Sequence, residues 1–363
     1  MRVAAWLALR DLSVHRRQAI ALGTVFAIAV TAFVALGSYR QTLLRDYQPA
    51  RGDQLVIQET QSFAEFYGSR LSPDIAVVLE DLGVAGAVAE IHTIVGTSLQ
   101  DAVLLKGVDL ERYPELDSFI IRAGRGLRLG DSPRQAMLGT RLAERLAAVP
   151  GDTIRLRGRP FEVIGVFETG SYTENEAWVP LSGAQELLGW GRDVSLYVVP
   201  DDGRLTPGER LLDGVSVGRR GELWSTFPRQ WEGLMALIQT VTQAIGLAAA
   251  LSLAAMLWRL AWRRRWQIAV LRSLGFSRMV FAIYLVVQGA AIAFAGGACG
   301  VLGALALLRW VRPTLAGVSL RPHLTADVLI STGAWLGFLT LLSVVVPVWV
   351  LGRRRVAELM SVE

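Results

Sequence analysis

The sequence predicts a membrane protein of four transmembrane α-helices, with a large α/β extracytoplasmic domain inserted between the first and second helices. Three observations predict it. Residues 19–38, 233–258, 279–308 and 328–351 carry no charged side chain, and a helix of roughly 20 apolar residues is enough to cross about 30 Å of hydrocarbon. Arginines gather at one set of flanks of these stretches. Residues 39–232 instead show short alternating segments broken by glycine and proline, the pattern of a folded α/β domain.

The N-terminal segment, residues 1–18, carries Arg2, Arg10, Arg16 and Arg17. The apolar run after it, 19–38, is too long for the apolar core of a signal peptide, so it is expected to be an uncleaved first transmembrane helix. After the second stretch, 233–258, the connection 259–278 holds Arg259, Arg263, Arg264, Arg265, Arg272 and Arg278 with no acidic residue. The third stretch, 279–308, leads to a short loop, 309–327. The fourth, 328–351, is followed at once by Arg353, Arg354 and Arg355 in the tail 352–363. Arginine-rich short segments stay on the cytoplasmic side. Both termini and 259–278 are therefore expected on the cytoplasmic side of a multi-pass membrane protein. The segment 39–232 has 21 basic and 28 acidic side chains, as suits a translocated domain. The loop 309–327, with Arg309, Arg312 and Arg321 against Asp327, runs against the bias, but parity puts it outside. The overall charge of +5 thus comes from cytoplasmic arginines that face anionic membrane lipid, and nucleic acid is not an expected partner.

In the inserted domain, strands are expected at 54–59, 102–107, 153–157, 161–166 and 194–199. Pro73 and Asp74 open a helix to Leu82 with proline and acid in its first turn. A second helix is expected over 140–148, with Thr140 as its cap. The strands 153–157 and 161–166 read as a hairpin turning through Gly158 and Arg159. From Ser225 onward the lack of breakers after Pro228 predicts a helical stalk into the second membrane helix. Cys299 is the single cysteine. No disulfide can therefore staple the domain, and Cys299 is expected to pack as a small residue.

The ordered series "LLKGVDLERY", "AGRGL", "AMLGTRLAERL", "VPGDTIRL", "RPFEVIGVF" and "AWVPL" resembles the periplasmic core domain of MacB/FtsX-type ABC transporter permeases. Gly124, Gly126, Gly139, Gly151 and Gly165 within it fit turns or close approaches rather than ligand positions. The membrane half adds "IAVLRSLGFSR" and "QGAAIAFAGGACGVLGALAL", which resemble the family's cytoplasmic connection and glycine-rich third helix. The flanks "LALRDLSVHRRQAI" and "RRRVAELMSVE" resemble its cytoplasmic ends. Ala293, Gly296, Gly297, Gly300 and Gly303 present small residues at helical spacing, which lets backbones approach closely. Packing within the chain and a dimer interface are both open for this surface. Where many relatives carry an acidic residue, this sequence has Gln288, so no intramembrane carboxylate is expected there.

The segment Trp266, Gln267, Ile268, Ala269, Val270, Leu271, Arg272, Ser273, Leu274 and Gly275 is expected to form a short coupling helix. Ile268, Ala269, Leu271 and Leu274 share one face, suited to a groove on an ATPase, with Arg272 at the groove edge and Gly275 ending the helix. The alternative is an amphipathic segment lying on anionic lipid beside Trp262 and Trp266.

Catalytic signatures are missing from the sequence. A phosphate loop needs lysine beside Ser or Thr after a glycine-rich turn, and the single lysine, Lys106, precedes Gly107 and Val108. His15, His92 and His323 are the only histidines and form no zinc or nucleophile motif. Glu174 and Glu176 are expected in a solvated loop rather than as an acid–base pair. No cofactor is therefore expected in this chain, and ATP would be bound by a separate ABC ATPase subunit. The resemblance further implies a non-catalytic permease, working with a second copy of itself or a paralogous permease and with a periplasmic adaptor. It would turn ATP hydrolysis into movement of the extracytoplasmic domain for efflux or extraction of a substrate. An FtsX-like mechanotransducer controlling a cell-wall hydrolase is the alternative function.

Overall fold

A computed structural model describes residues 2–46, 54–60, 68–97, 102–220, 232–263, 278–315, 317–322 and 324–353. It also describes Ser62, Trp266, Ala269, Val270, Ser273 and Gly275. The chain divides into two units. One comprises residues 1–41, 233–311 and 321–363, and the other 42–232 together with 312–320.

The first unit is helical. Helix α1 (Arg2–Val14) is followed by α2 (Arg16–Asp46), and later come α7 (Glu232–Arg263), α8 (Arg278–Trp310) and α9 (Ala326–Arg353). The four longest hold apolar spans of 27, 24, 29 and 20 residues, each long enough to cross a bilayer. The first span begins at Arg16 and runs to Thr42, longer at both ends than residues 19–38, because the same helix continues through the polar flanks Arg16-Arg17-Gln18 and Tyr39-Arg40-Gln41-Thr42. The core joins Phe26, Val30 and Val34 of α2, Leu253 and Leu257 of α7, Leu285 and Ile292 of α8, and Val328 and Val344 of α9. Outward lie Leu251, Phe294, Leu302 and Ile330, large apolar side chains that stay exposed. A bundle apolar on its outside as well as its inside is built for lipid. The N-terminal segment, unassigned from sequence, is the helix α1. The expected stalk lies mainly outside the described residues, which resume at Glu232.

The second unit is an α/β domain on one 11-stranded mixed sheet. Its elements are β1 (Gln54–Glu59), α3 (Asp74–Asp81), β2 (Val88–Gly96), β3 (Ala102–Val108), α4 (Tyr113–Leu116), β4 (Ile120–Gly124), β5 (Gln135–Gly139), α5 (Thr140–Leu146), β6 (Thr153–Leu156), β7 (Arg159–Glu168), β8 (Glu176–Pro180), α6 (Leu181–Leu188), β9 (Leu196–Pro200), β10 (Arg210–Leu212) and β11 (Val215–Arg219). The strand order is β10-β11-β1-β9-β2-β3-β8-β5-β7-β4, with β6 paired to β7. Strand side chains alternate between faces. One face carries Leu55, Ile57, Ile91, Leu105, Ala177 and Val179 into the main core, beneath Leu79 of α3, Leu142 of α5 and Leu187 of α6. The opposite face carries Val56, Leu196 and Val198 at one end, and Met137, Phe167 and Trp178 around Tyr113 at the other.

Two local expectations need correction. The hairpin turns through Arg157 and Gly158, both at positive φ (46° and 79°), the pair of left-handed conformations a two-residue type I′ turn requires. Thr140 does not cap α5: the cap position is Gly139, and no side chain bonds there.

Candidate functional site

The glycine-rich helix α8 meets α2 on the face made by every third or fourth small residue. A Cβ built on Gly300 would lie 2.5 Å from Val30 Cβ and 2.7 Å from the Ala27 carbonyl oxygen. One built on Gly296 would lie 2.7 Å from the Gly23 carbonyl, and one on Gly303 would lie 2.8 Å from Thr31 Oγ1. Thr31 donates its hydroxyl to the Gly300 carbonyl at 3.0 Å and to Ala27 at 2.8 Å. These glycines therefore line a close helix contact within the chain. Gly297 faces elsewhere, with Leu336 of α9 at 3.7 Å, and Ala293 is buried.

Gln288 is fully buried in α8. Its amide donates to the Tyr284 hydroxyl at 2.9 Å and to Asp11 Oδ2 of α1 at 3.3 Å, while Tyr284 also donates to Asp11. A carboxylate does stand beside this position, supplied from α1 rather than from α8. Sequence reading misses it because the partners lie 277 residues apart.

Of the expected coupling segment, Trp266, Ala269, Val270 and Ser273 are helical, and Gly275 is a turn at φ 90°, a left-handed conformation that suits a glycine helix end. Ala269 is buried and Trp266 is exposed. Gln267, Ile268, Leu271, Arg272 and Leu274 lie outside the described residues. Cys299 is exposed on the bundle rather than packed inside it.

In the α/β domain, charged side chains meet on the sheet face opposite the main core. Lys106 of β3 is paired in register with His92 of β2 and Trp178 of β8. Its ammonium lies 3.1 Å from Glu90 Oε1, 2.5 Å from Asp117 Oδ2 and 5.0 Å from the Trp178 ring centre. Arg220 donates to Gln54 Oε1 at 2.6 Å and lies 3.4 Å from both Glu90 and Asp117. Glu90 and His92 share a hydrogen bond of 2.8 Å. Burial alone would raise the Glu90 carboxyl, but Lys106 and Arg220 hold it below the ordinary range. Burial lowers His92, with the Glu90 bond opposing. Burial would lower Lys106, but Asp117 and Glu90 outweigh it and keep it charged. The lysine that fails the phosphate-loop pattern is thus committed to buried carboxylates.

The sequence pattern assigns Glu174 and Glu176 to a solvated loop, and the structure overturns that. Glu174 is buried in an ion pair with Arg141, Nε to Oε2 at 3.0 Å. Glu176 opens the central strand β8 and is 1% exposed. Burial pushes its carboxyl up to about 8, against Lys106 and the Trp178 Nε1–H bond of 2.7 Å. The charges of this cluster are paired with one another inside the domain, so the cluster reads as architecture. Among the described residues, no three His, Cys, Asp or Glu side chains stand together as a metal site.

The same domain holds the segment between α8 and α9. Strands β12 (Thr314–Leu315) and β13 (Val318–Ser319) pair as a small hairpin. Arg145 of α5 donates to the Gly317 carbonyl at 2.6 Å and to Ala102 at 2.9 Å. Asn175 Oδ1 accepts the Ser319 N–H at 2.7 Å.

Four bilayer-length helices among the described residues, together with a mixed-sheet domain, fit a multi-pass membrane protein. Residues 19–207 match the family described as MacB-like periplasmic core domain, and residues 241–356 match the FtsX-like permease C-terminal family. The chain belongs to the MacB/FtsX-type permeases, components of ABC transporters, and membership implies an ABC ATPase partner. Among solved structures, the periplasmic region of MacB from Actinobacillus actinomycetemcomitans is similar at 14% identity and a TM-score of 0.33, over 48% of this chain and 92% of that one. A domain of a putative permease protein from Porphyromonas gingivalis is similar at 13% identity and a TM-score of 0.30, over 47% and 90%. No curated protein matches the sequence.

Proposed function

We propose that this chain is the non-catalytic permease subunit of a MacB-type transporter in the bacterial inner membrane, with both termini in the cytoplasm. It pairs with a second copy and with two copies of a separate ATPase. ATP-driven closure in the cytoplasm is converted into movement of the extracytoplasmic domain, which expels or extracts a substrate. The observation that carries this reading is the succession of two matched families on one chain, a MacB-like core domain and then an FtsX-like permease half, in a sequence without a phosphate loop. The breadth of the core-domain match favours transport over an FtsX-like mechanotransducer.

The segment from Trp266 to Gly275 is the proposed docking element for the ATPase, on the strength of the apolar pattern in its sequence. The test is Leu271→Asp in the complete complex. Losing a buried apolar anchor costs on the order of 2 kcal/mol at an interface, so co-purification of the ATPase should fall about 30-fold in affinity, while insertion of the permease stays normal. If the variant retains its ATPase and full permease-stimulated hydrolysis, the docking role is wrong.

A further inference from the structure

The bundle carries an open groove of about 420 Å³ between α2 and α8, where α1 meets them. Leu12 and Arg16 line one end, Gly23 and Ala27 the α2 wall, and Ala295 and Cys299 the α8 wall. Small side chains make the recess. A Cβ on Gly23 would meet no atom within 4 Å, and Ala295 and Cys299 are both exposed, so the recess opens outward. Arg16 is exposed and no carboxylate lines the groove. Asp11, the one acidic residue among residues 1–18, is bonded to Tyr284 and Gln288.

We propose that this groove binds one phospholipid with an anionic headgroup, its phosphate at Arg16 and an acyl chain along the α2–α8 recess. Length supports the assignment. From Arg16 to Ala27 a helix rises about 16 Å, close to one leaflet of a hydrocarbon core about 30 Å thick. Charge supports it too, because a guanidinium beside the headgroup region pairs well with phosphate. A second copy of the chain is the poorer occupant. A symmetric contact here would set the Arg16 and Arg17 pairs of both copies together, with Asp11, the acidic residue of the same segment, already bonded inside each copy. The inference requires only that α2 and α8 span a bilayer, so it is independent of the transport mechanism.

The experiment uses the full chain in nanodiscs with diazirine-tailed phosphatidylglycerol or phosphatidylcholine, followed by peptide mapping of the crosslinks. Phosphatidylglycerol should label the peptides around residues 16–27 and 291–299 about fivefold more than phosphatidylcholine, a ratio equivalent to about 1 kcal/mol for one arginine near the membrane surface. Arg16→Gln should reduce that ratio to near one, and Ala295→Leu, which fills the recess, should remove both lipids from these peptides. Arg16 is exposed, so its replacement reads the headgroup contact even if the filled variant fails to fold. Equal labelling by both lipids would overturn the proposal. So would efficient Cys299–Cys299 disulfide formation between copies under copper phenanthroline, which would show the groove covered by protein.

Discussion

At Glu176 a single proton links the buried cluster to stability. Its carboxyl titrates near 8 in the folded protein against 4.5 as the ordinary value, so between these limits the folded state holds a proton that the unfolded state has released. Stability from this group is complete below about pH 4.5 and is lost as pH rises through about 8. At ~1.4 kcal/mol per unit the span is a few kcal/mol. Glu176→Gln keeps an acceptor for the Trp178 indole but cannot ionise. Thermal unfolding of the detergent-solubilised chain should therefore show wild type losing stability across this range, with the variant losing much less; equal slopes would remove Glu176 as the cause. Lys106 stays charged across this whole range, so its loss acts at every pH within it. Lys106→Met strands Glu90 without its nearest cation, and breaking a buried pair on one side costs about 3–5 kcal/mol, so the variant should fold poorly at any pH near neutral. Little of this was legible in sequence. The charged residues alternate with apolar ones in "AEIHT" and "LLKGV", but nothing local reveals that the strands carrying them lie side by side.

At the scale of elements, the sequence announced the membrane helices because a bilayer imposes a long apolar run that no local propensity can mimic. The strands divide by their surroundings. β1, β3 and the β6–β7 hairpin were readable, with ends shifted by up to two residues, because turns or polar flanks bound them. Missed were β2, β4, β5, β8, β10 and β11; of these the central β5 and β8 are almost wholly buried, and a short buried run such as "EAWVP" shows no polar–apolar alternation. The glycine face of α8 was readable as close packing, but its partner was not, since α2 is distant in sequence. That contact gives a differential prediction. Gly300→Ala puts a methyl against Val30 and the Ala27 carbonyl and should cost about 1–3 kcal/mol through overpacking. Gly297→Ala meets only Leu336 at ordinary contact distance and should be neutral or slightly stabilising, since alanine is the better helix former. Melting temperatures of the two purified variants decide it, and a Gly297 variant as damaged as the Gly300 variant would refute the assigned faces.

For the whole molecule, what matters is how force could pass between a lipid-embedded bundle and a domain in water. The chain passes between the two units four times, after residues 41, 232, 311 and 320. Two of these crossings flank the β12–β13 hairpin, which hydrogen-bonds to the α/β domain and not merely to itself. Covalent continuity at residues 311 and 320 therefore becomes mechanical only if that hairpin stays docked. Arg145 is the main fastening, with its guanidinium on the Gly317 and Ala102 carbonyls, and hydrogen bonds to a charged donor each contribute about 1.5–3 kcal/mol. Arg145→Ala should release the hairpin while leaving the sheet ladder intact, because the ladder is held by strand-to-strand pairs. Hydrogen exchange over residues 312–320 should then accelerate by at least about tenfold, the factor equivalent to 1.4 kcal/mol. Under the transport reading, the assembled complex should still bind its ATPase yet couple hydrolysis to domain movement less tightly. Arg122→Ala, which removes an exposed pair with Glu168, is the matched control and should change neither measurement. Unaltered exchange in the hairpin of the Arg145 variant would mean that the docking rests on Asn175 and backbone contacts instead, and that the force path assigned to Arg145 does not exist.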